Sequence, residues 1–340
     1  MFCRQMQTLV KSGIPLGIAI AKLAESTYNK KLSNALNGIL DSLNQGHSLY
    51  VAMKKTPDIF SSFFTNLIKL GETTGTLDEV FYHLSKYLQL ELDTSNQLKS
   101  ALRYPIILMT VILAAIIGVT LVVIPAFSQL FKQFGATLPL PTRMLIAFSD
   151  FMINYWYYIV SVVVVGLSFL IYYVKTPDGS IAWAKYQMKI PFFGWLIQRI
   201  ILARFTRLYA LVLRAGLSAI EGIELVGESS SNAYFRKQIQ MVKTLVGRGN
   251  NIANSISQTK LFPPLVLQMV ALGEETGRID ELLDDVSDFY QRDVEYDLSR
   301  VNDIIEPVIM IVMGVMVLIL ALGVYMPIWS LAGQAGRGGL

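Results

Sequence analysis

The chain has 340 residues, of which 53% are hydrophobic and 16% are charged, and its formal net charge is +4 at pH 7. Soluble domains carry about 25% charged residues, so the composition argues against an ordinary soluble protein and favours a membrane protein. Two histidines, His47 and His83, and the lone Cys3 offer neither an intramolecular disulfide nor a metal-ligand pattern. The sequence contains no phosphate loop and no Ser-His-Asp or Cys-His set, so we predict no enzyme, no cofactor and no metal.

The chain begins with a predicted helical bundle at residues 1–104. Apolar residues such as Leu9, Leu16, Ile20 and Leu23 recur there at helical spacings. Three later stretches lack Asp, Glu, Lys and Arg, and each is long enough for the roughly 20 residues that a spanning helix needs. They cover residues 104–131, 151–174 and 307–336. Buried core helices of a soluble fold are the alternative, but uncharged runs of this length are rare in such folds.

Lysines and arginines indicate the orientation of the chain in the membrane, because positive residues are retained on the cytoplasmic side. Eleven lie in residues 1–104, two in 128–150, fifteen in 175–306 and one near the C-terminus. This distribution predicts a cytoplasmic N-terminus, a periplasmic C-terminus and two large cytoplasmic segments. The basic residues are mixed with acids and form no stripe with interleaved aromatics, so no nucleic-acid partner is predicted.

An internal repeat links the two large segments. Residues 70–79 read LGETTGTLDE and residues 272–281 read LGEETGRIDE. Pro105 returns as Pro307 at the head of a predicted span, and Gly13 returns as Gly216 with one residue of slippage. The repeat unit is therefore a cytoplasmic bundle followed by one transmembrane helix, each bundle with its own core. Two copies in the same orientation require one extra crossing, which residues 151–174 supply.

These observations predict an all-α membrane protein with two homologous cytoplasmic helical bundles and three transmembrane helices. The predicted order is a first bundle at 1–104, a transmembrane helix at 105–127, a periplasmic loop at 128–150, a second transmembrane helix at 151–174, a second bundle at 175–306, a third transmembrane helix at 307–329 and a periplasmic tail at 330–340.

The duplicated motif Gly-Glu-x-Thr-Gly-x-(Leu or Ile)-Asp-Glu resembles that of the type II secretion system F domain family. The basic-x-Gly openings at residues 11–13 and 214–216 support the resemblance, as do the prolines that head the first and third spans. The resemblance extends over about residues 5–329. The end of the third span is more similar to the pilus branch of the family than to the secretion branch, and specifically to the mannose-sensitive haemagglutinin pilus.

The resemblance implies a non-enzymatic platform protein of the bacterial inner membrane, for type IV pilus biogenesis or type II secretion. Its implied partners are a hexameric assembly ATPase, other inner-membrane assembly proteins, pilins or pseudopilins, further copies of the chain and the lipid bilayer. A small oligomeric transporter or channel is the alternative. The predicted spans lack the ionisable groups that such a pathway usually needs. A membrane-anchored signalling adaptor would explain the bundles but not the duplication.

The motif supplies the candidate site residues. Its glycines indicate a helix break, and Thr76 and Glu79 have the spacing of a capping box for the next helix. The motif carboxylates have three possible roles, namely helix capping, contact with a partner, and binding of a cation. The candidates are Gly71, Glu72, Thr74, Gly75 and Asp78 in the first copy, and Gly273, Glu274, Thr276, Gly277 and Asp280 in the second.

Overall fold

A computed structural model describes residues 1–126, 129, 140–191, 193–301, 303, 305–318 and 321. Within these residues the regular structure is helical and no strand occurs, which confirms the predicted all-α class. The helices are α1 Phe2–Lys11, α2 Leu16–Ser26, α3 Lys30–Asn44, α4 Leu49–Lys54, α5 Ser62–Thr74, α6 Leu77–Gly118, α7 Leu140–Lys175, α8 Pro177–Gln187, α9 Gly194–Arg214, α10 Ala219–Ser229, α11 Ala233–Gly247, α12 Ile252–Ser257, α13 Pro264–Thr276, α14 Ile279–Ser299 and α15 Ile305–Leu318.

The helices of the two bundles start and end at matching positions, as the repeat predicts. The first copy uses α1 to α5 and the start of α6, and the second uses the end of α9, then α10 to α14. The helices α2, α3 and α4 match α10, α11 and α12 residue for residue in length, and α5 matches α13. The glycines Gly13 and Gly216 both follow the first helix of their copy with positive φ, at +74° and +93°.

Met1–Ser95 and Val174–Tyr296 form one compact unit that contains both bundles. Buried side chains of the two copies belong to a single hydrophobic cluster, which includes Phe81 from the first and Tyr209 from the second. The prediction that each bundle has its own core is therefore wrong. The two bundles pack against each other through α5 and α10, so apolar surface that separate bundles would expose to water is shared between them.

A second unit contains Asn96–Tyr173 and the described residues from Asp297 onward. Two helical segments are long and apolar enough to cross a membrane: Leu77–Ala126, which belongs to this unit from Asn96 onward, and Ile146–Lys175. Helix α15 is a shorter apolar helix. Most side chains of Ile146–Lys175 are exposed rather than packed into the protein, and none is buried in its most apolar 18-residue window. An exposed apolar surface of this length suits the hydrocarbon of a bilayer better than water.

Two predicted boundaries differ from the structure. Pro105 does not head a helix, because α6 runs without interruption from the first bundle through Pro105 to Gly118. A proline inside a helix removes one backbone hydrogen bond, a loss that membrane helices tolerate. Residues 140–150, predicted as loop, form the start of α7, where Pro141 suits the first turn of a helix.

A π-helical turn at Val119–Val123 follows α6. The Ser149 hydroxyl of α7 donates a hydrogen bond to the Thr120 carbonyl oxygen at 2.6 Å, and both residues are buried. This bond ties the end of the first apolar helix to the second. Residues 128 and 130–139 of the predicted loop, the end of the third predicted span and the predicted tail at 330–340 lie outside the described residues.

Candidate functional site

Both copies of the motif end a helix in the same conformation. Gly75 follows α5 with φ +76°, and Gly277 follows α13 with φ +71°. This left-handed backbone favours glycine because a Cβ atom would clash. The amide N–H of each donates to the carbonyl oxygen of the first motif glycine, Gly71 or Gly273. The predicted helix break is thus a helix C-cap in both copies.

The first glycine of each motif lies against the helix that follows. A Cβ atom added at Gly71 would lie 2.9 Å from Val80 Cγ2. At Gly273 it would lie 2.7 Å from Ile279 Cα, a backbone atom. These distances are shorter than real Cβ contacts, so only glycine lets α6 and α14 begin so close to the preceding helix.

The first glutamate of the motif caps a helix that precedes it in the chain. Glu72 Oε1 accepts a hydrogen bond from the Leu49 amide at 2.7 Å, and Glu72 Oε2 accepts one from the Tyr50 amide at 3.1 Å. Leu49 and Tyr50 are the first residues of α4. Amides at a helix N-terminus lack partners within the helix and attract negative charge.

The second copy repeats this arrangement. Glu274 accepts hydrogen bonds from the Ile252 amide at 2.6 Å and from the Ala253 amide at 2.8 Å, at the start of α12. The same carboxylate therefore ties the motif to the short fourth helix of each bundle. Spacing along the sequence could not reveal this contact, because the glutamate and the helix that it caps are more than twenty residues apart.

Other motif residues face solvent or neighbouring side chains. The Thr74 and Thr276 hydroxyls donate to the carbonyl oxygens four residues earlier, at 2.9 and 2.7 Å, and both threonines are exposed. The Thr76 hydroxyl lies 2.7 Å from that of Thr74. Asp280 Oδ2 lies 3.6 Å from Arg214 Nε, and Asp78 lies in the first turn of α6, where negative charge is favourable.

No group of three or more His, Cys, Asp or Glu side chains that could hold a metal ion occurs among the described residues. The motif carboxylates Glu72 and Glu274 are both engaged with backbone amides. Partner contact stays a prediction, and the exposed candidate residues Thr74, Gly75, Thr276 and Gly277 are open to it.

A row of ion pairs in the second bundle was not anticipated from the sequence. Arg207 of α9 lies 2.9 Å from Asp284 and also pairs with Asp288. Arg214, one heptad later, lies 3.2 Å from Asp284. The sequence signal for these pairs is the spacing of their charges. Arg207 and Arg214 lie about two helical turns apart, and Asp284 and Asp288 lie about one turn apart. The corresponding residue of Arg214 in the first copy is Lys11, which is exposed.

Two polar contacts join the first copy to the second. Arg204 Nε donates to Glu91 Oε1 at 2.6 Å, and both side chains are about one third exposed. The Gln291 side-chain amide donates to the Thr94 hydroxyl at 3.2 Å. The extension of α6 beyond the first bundle therefore contacts α9 and α14 of the second.

His83 on α6 provides a pH test of this packing. Burial, and after it the charges of Arg214 and Lys86, lower the pKa of His83, while Glu79 and Asp284 act in the opposite direction. Below the unfolded-state pKa of about 6.5, the unfolded chain binds a proton that the folded chain takes up only at lower pH. We therefore expect stability to fall as the pH drops below about 6.5.

The measurement is thermal unfolding of the detergent-purified chain between neutral and mildly acidic pH. The His83→Gln variant should lose part of the acid-induced decrease in Tm. The matched change at the exposed His47, His47→Gln, should keep it. Identical pH profiles for the two variants would contradict a role for His83.

The family model described as type II secretion system (T2SS), protein F, matches residues 2–125 and 205–327. The chain is 32% identical to the type IV pilus assembly protein PilC of Myxococcus xanthus over 98% of this chain and 80% of that protein. It is 31% identical to PilC of Thermus thermophilus, with 98% and 82% covered. It is 27% identical to the type II secretion system protein F of Vibrio cholerae, also with 98% and 82% covered.

The two family matches coincide with the two copies of the repeat and include both motifs. The relatives carry the names of pilus assembly proteins and of secretion system proteins. Matches over nearly the whole chain confirm the resemblance that the duplicated motif indicates. The chain belongs to the family of type II secretion system protein F, which includes the type IV pilus assembly proteins named PilC.

Proposed function

We propose that this protein is a non-enzymatic platform protein of the bacterial inner membrane, which couples a hexameric cytoplasmic ATPase to the polymerisation of pilins in a type IV pilus. The observation that carries the proposal is the pair of matching bundles, fused into one compact unit and continuous through α6 with an apolar helix. Membership of the family and the pilus-assembly names of relatives support it. Polymerisation of pseudopilins in type II secretion is the alternative for the same platform.

The arrangement suits a scaffold that transmits force. Two related bundles offer an ATPase two related docking surfaces. The unbroken helix α6, with Pro105 in its interior, links the first bundle to the membrane without a loop. A helix maintained by its internal hydrogen bonds resists bending more than a loop does, so a displacement of the bundle reaches the apolar segment.

The proposed topology has three crossings, with the N-terminus in the cytoplasm and the C-terminus in the periplasm. We expect alkaline phosphatase fused after Arg143 to be active and alkaline phosphatase fused after Gly249 to be inactive, because the enzyme folds in the periplasm. Green fluorescent protein at the same two positions should give the opposite pattern. Phosphatase activity after Gly249 would overturn the topology while leaving the family unchanged.

Loss of the gene tests the larger proposal. We expect a deletion strain to lack surface filaments, counted by electron microscopy, and to recover them when the intact chain is supplied. The ATPase and the major pilin should still be produced in the deletion strain, as immunoblots would show. Normal filaments in that strain, together with loss of an exported protein, would favour the secretion alternative. Filaments and secretion that are both unchanged would overturn the platform function.

The exposed part of the motif tests contact with the ATPase. Thr74→Arg and Thr276→Arg place a bulky charge at exposed helix ends, so the fold should tolerate them. We expect the double variant to reach the membrane at normal levels but to lose co-purification of the ATPase. Matched changes at the exposed Tyr28 and Met241 should leave co-purification intact. Equal co-purification by all variants would mean that the ATPase binds elsewhere.

A further inference from the structure

The two copies of the repeat contact each other through unlike faces. Helix α5 of the first copy packs on α10 of the second, and a cleft of about 350 Å³ lies between them. Lys69, Leu70 and Thr73 line it from α5, while Glu221 and Leu225 line it from α10. In the repeat, α5 corresponds to α13 and α10 corresponds to α2. The face of α13 that is equivalent to the used face of α5 is therefore left out of the internal contact. So is the face of α2 that is equivalent to the used face of α10.

The residues on these two faces follow from the matching helix boundaries. On α13, Leu272 and Glu275 occupy the positions of Leu70 and Thr73. On α2, Ile18 and Lys22 occupy the positions of Glu221 and Leu225. Each open face therefore carries one large apolar residue and one charge. Those four residues are the ones that a repetition of the internal contact would bring together.

Exposure distinguishes the used faces from the open ones. Leu70, at the internal contact, is half-buried, whereas its counterpart Leu272 is 47% exposed. Leu225 is 6% exposed, and the apolar residue of the α2 face, Ile18, is 51% exposed. At the equivalent apolar pair, Leu70 and Leu272, the side chain is more covered in the first copy than in the second, and the open α2 face exposes Ile18 at the position of Glu221.

The internal contact and the two open faces carry charges of opposite sign on corresponding helices. The base is on α5 and the acid on α10 in the internal contact, whereas the acid is on α13 and the base on α2 on the open faces. In the internal contact, α5 presents Lys69 and α10 presents Glu221 to the same cleft; hydrogen bonds from Ser218, and after them the charge of Lys69, lower the pKa of Glu221. On the open faces, α13 presents the acid Glu275 and α2 presents the base Lys22. An α13 face and an α2 face therefore carry opposite charges, whereas α5 and α2 each carry a lysine. These charges favour the pairing of α5 with α10 and of α13 with α2 over the pairing of α5 with α2.

We propose that α13 of one chain packs on α2 of a second copy of the same chain, in the way that α5 packs on α10 within the chain. The occupant is a second copy because the fold already contains this helix pairing. In each contact the two chains contribute different surfaces. The contacts close either as a reciprocal pair in a two-fold dimer or as a ring.

Disulfide formation between two differently tagged copies tests the interface. Both copies are the full chain in membranes and carry Cys3→Ala, which removes the buried native thiol. One copy carries Ile18→Cys and the other carries Leu272→Cys. Under mild oxidation we expect a cross-linked product that contains both tags. A chain that carries both cysteines should give cross-linked products larger than one chain.

A matched pair of exposed apolar positions outside the two faces serves as the control. Val51 and Met241 are 40% and 39% exposed, and Val51→Cys with Met241→Cys should give severalfold less mixed product. Three results would overturn the proposal: no mixed product, a product from Ile18→Cys alone that equals the mixed one, or cross-links confined to single chains in the doubly substituted protein.

Charge reversal provides a second, independent measurement. Lys22→Glu places an acid opposite Glu275, and Glu275→Lys places a base opposite Lys22. Each change should lower the yield of mixed product by up to about fivefold, the effect of one partly exposed charge pair. Chains that combine both changes should recover the yield. Failure of the combination to recover it, or no loss in either single variant, would contradict the assigned contact.

Discussion

Gly273→Ala should be one of the most damaging single-methyl additions in the protein. The new Cβ would lie 2.7 Å from Ile279 Cα and 3.2 Å from Ile279 N. Backbone atoms at a helix start cannot rotate away as a side chain can, so α13 and α14 would have to separate. We expect a loss of about 3 kcal/mol in the free energy of unfolding, measured by thermal or denaturant unfolding of the detergent-purified chain.

The first copy provides a graded comparison and a control. Gly71→Ala should cost less than Gly273→Ala, because its shortest contact, 2.9 Å, is to the terminal Val80 Cγ2 atom. Gly38 lies inside α3, and a Cβ atom there meets nothing within 4 Å. Gly38→Ala should therefore stabilise the chain by about 0.5 to 1 kcal/mol. Equal effects of the three substitutions would contradict the close packing assigned to the motif glycines.

Glu72→Gln and Glu274→Gln should each destabilise the chain by about 2 kcal/mol. The amide keeps one oxygen that can accept a hydrogen bond, but its NH2 group then faces a helix amide that also donates. One backbone N–H loses its acceptor, and the favourable charge at the helix N-terminus disappears. The Leu49 and Ile252 residues at these amides are buried, so water cannot readily replace the lost bond.

Asp41→Asn is the matched control for the loss of a carboxylate charge, because Asp41 lies on the exposed face of α3. It should change the unfolding free energy by less than about 0.5 kcal/mol. If Glu72→Gln and Asp41→Asn have the same effect, Glu72 does not cap α4. If the glutamate variants are as stable as Asp41→Asn, a loss of filaments in them would report a lost contact with a partner. If they are destabilised, a loss of filaments reports misfolding.

The sequence was sufficient to predict what depends on local pattern. Hydrophobic periodicity predicts helices around Leu16 and Ile20, and the absence of charge identifies the apolar segments. The repeated glycines predict the helix end at Gly75 and Gly277, because positive φ is a local requirement. Each of these features can be read within a window of about twenty residues.

Long-range packing explains what the sequence did not reveal. The Glu72 carboxylate caps α4 across more than twenty residues, and the Arg204 pair with Glu91 joins residues 113 positions apart. Pro105 is a helix breaker by its own chemistry, yet the surrounding helix continues through it. The shared core arises because the copies pack together, which the repeat alone does not imply.

The fusion of both bundles into one polypeptide has a thermodynamic consequence. The contact of α5 with α10 is intramolecular, so its partners are held at an effective concentration that dilution does not change. A purified sample can therefore lose this contact only by unfolding and never by dissociation. Any change in molecular mass on dilution must therefore come from contacts between chains.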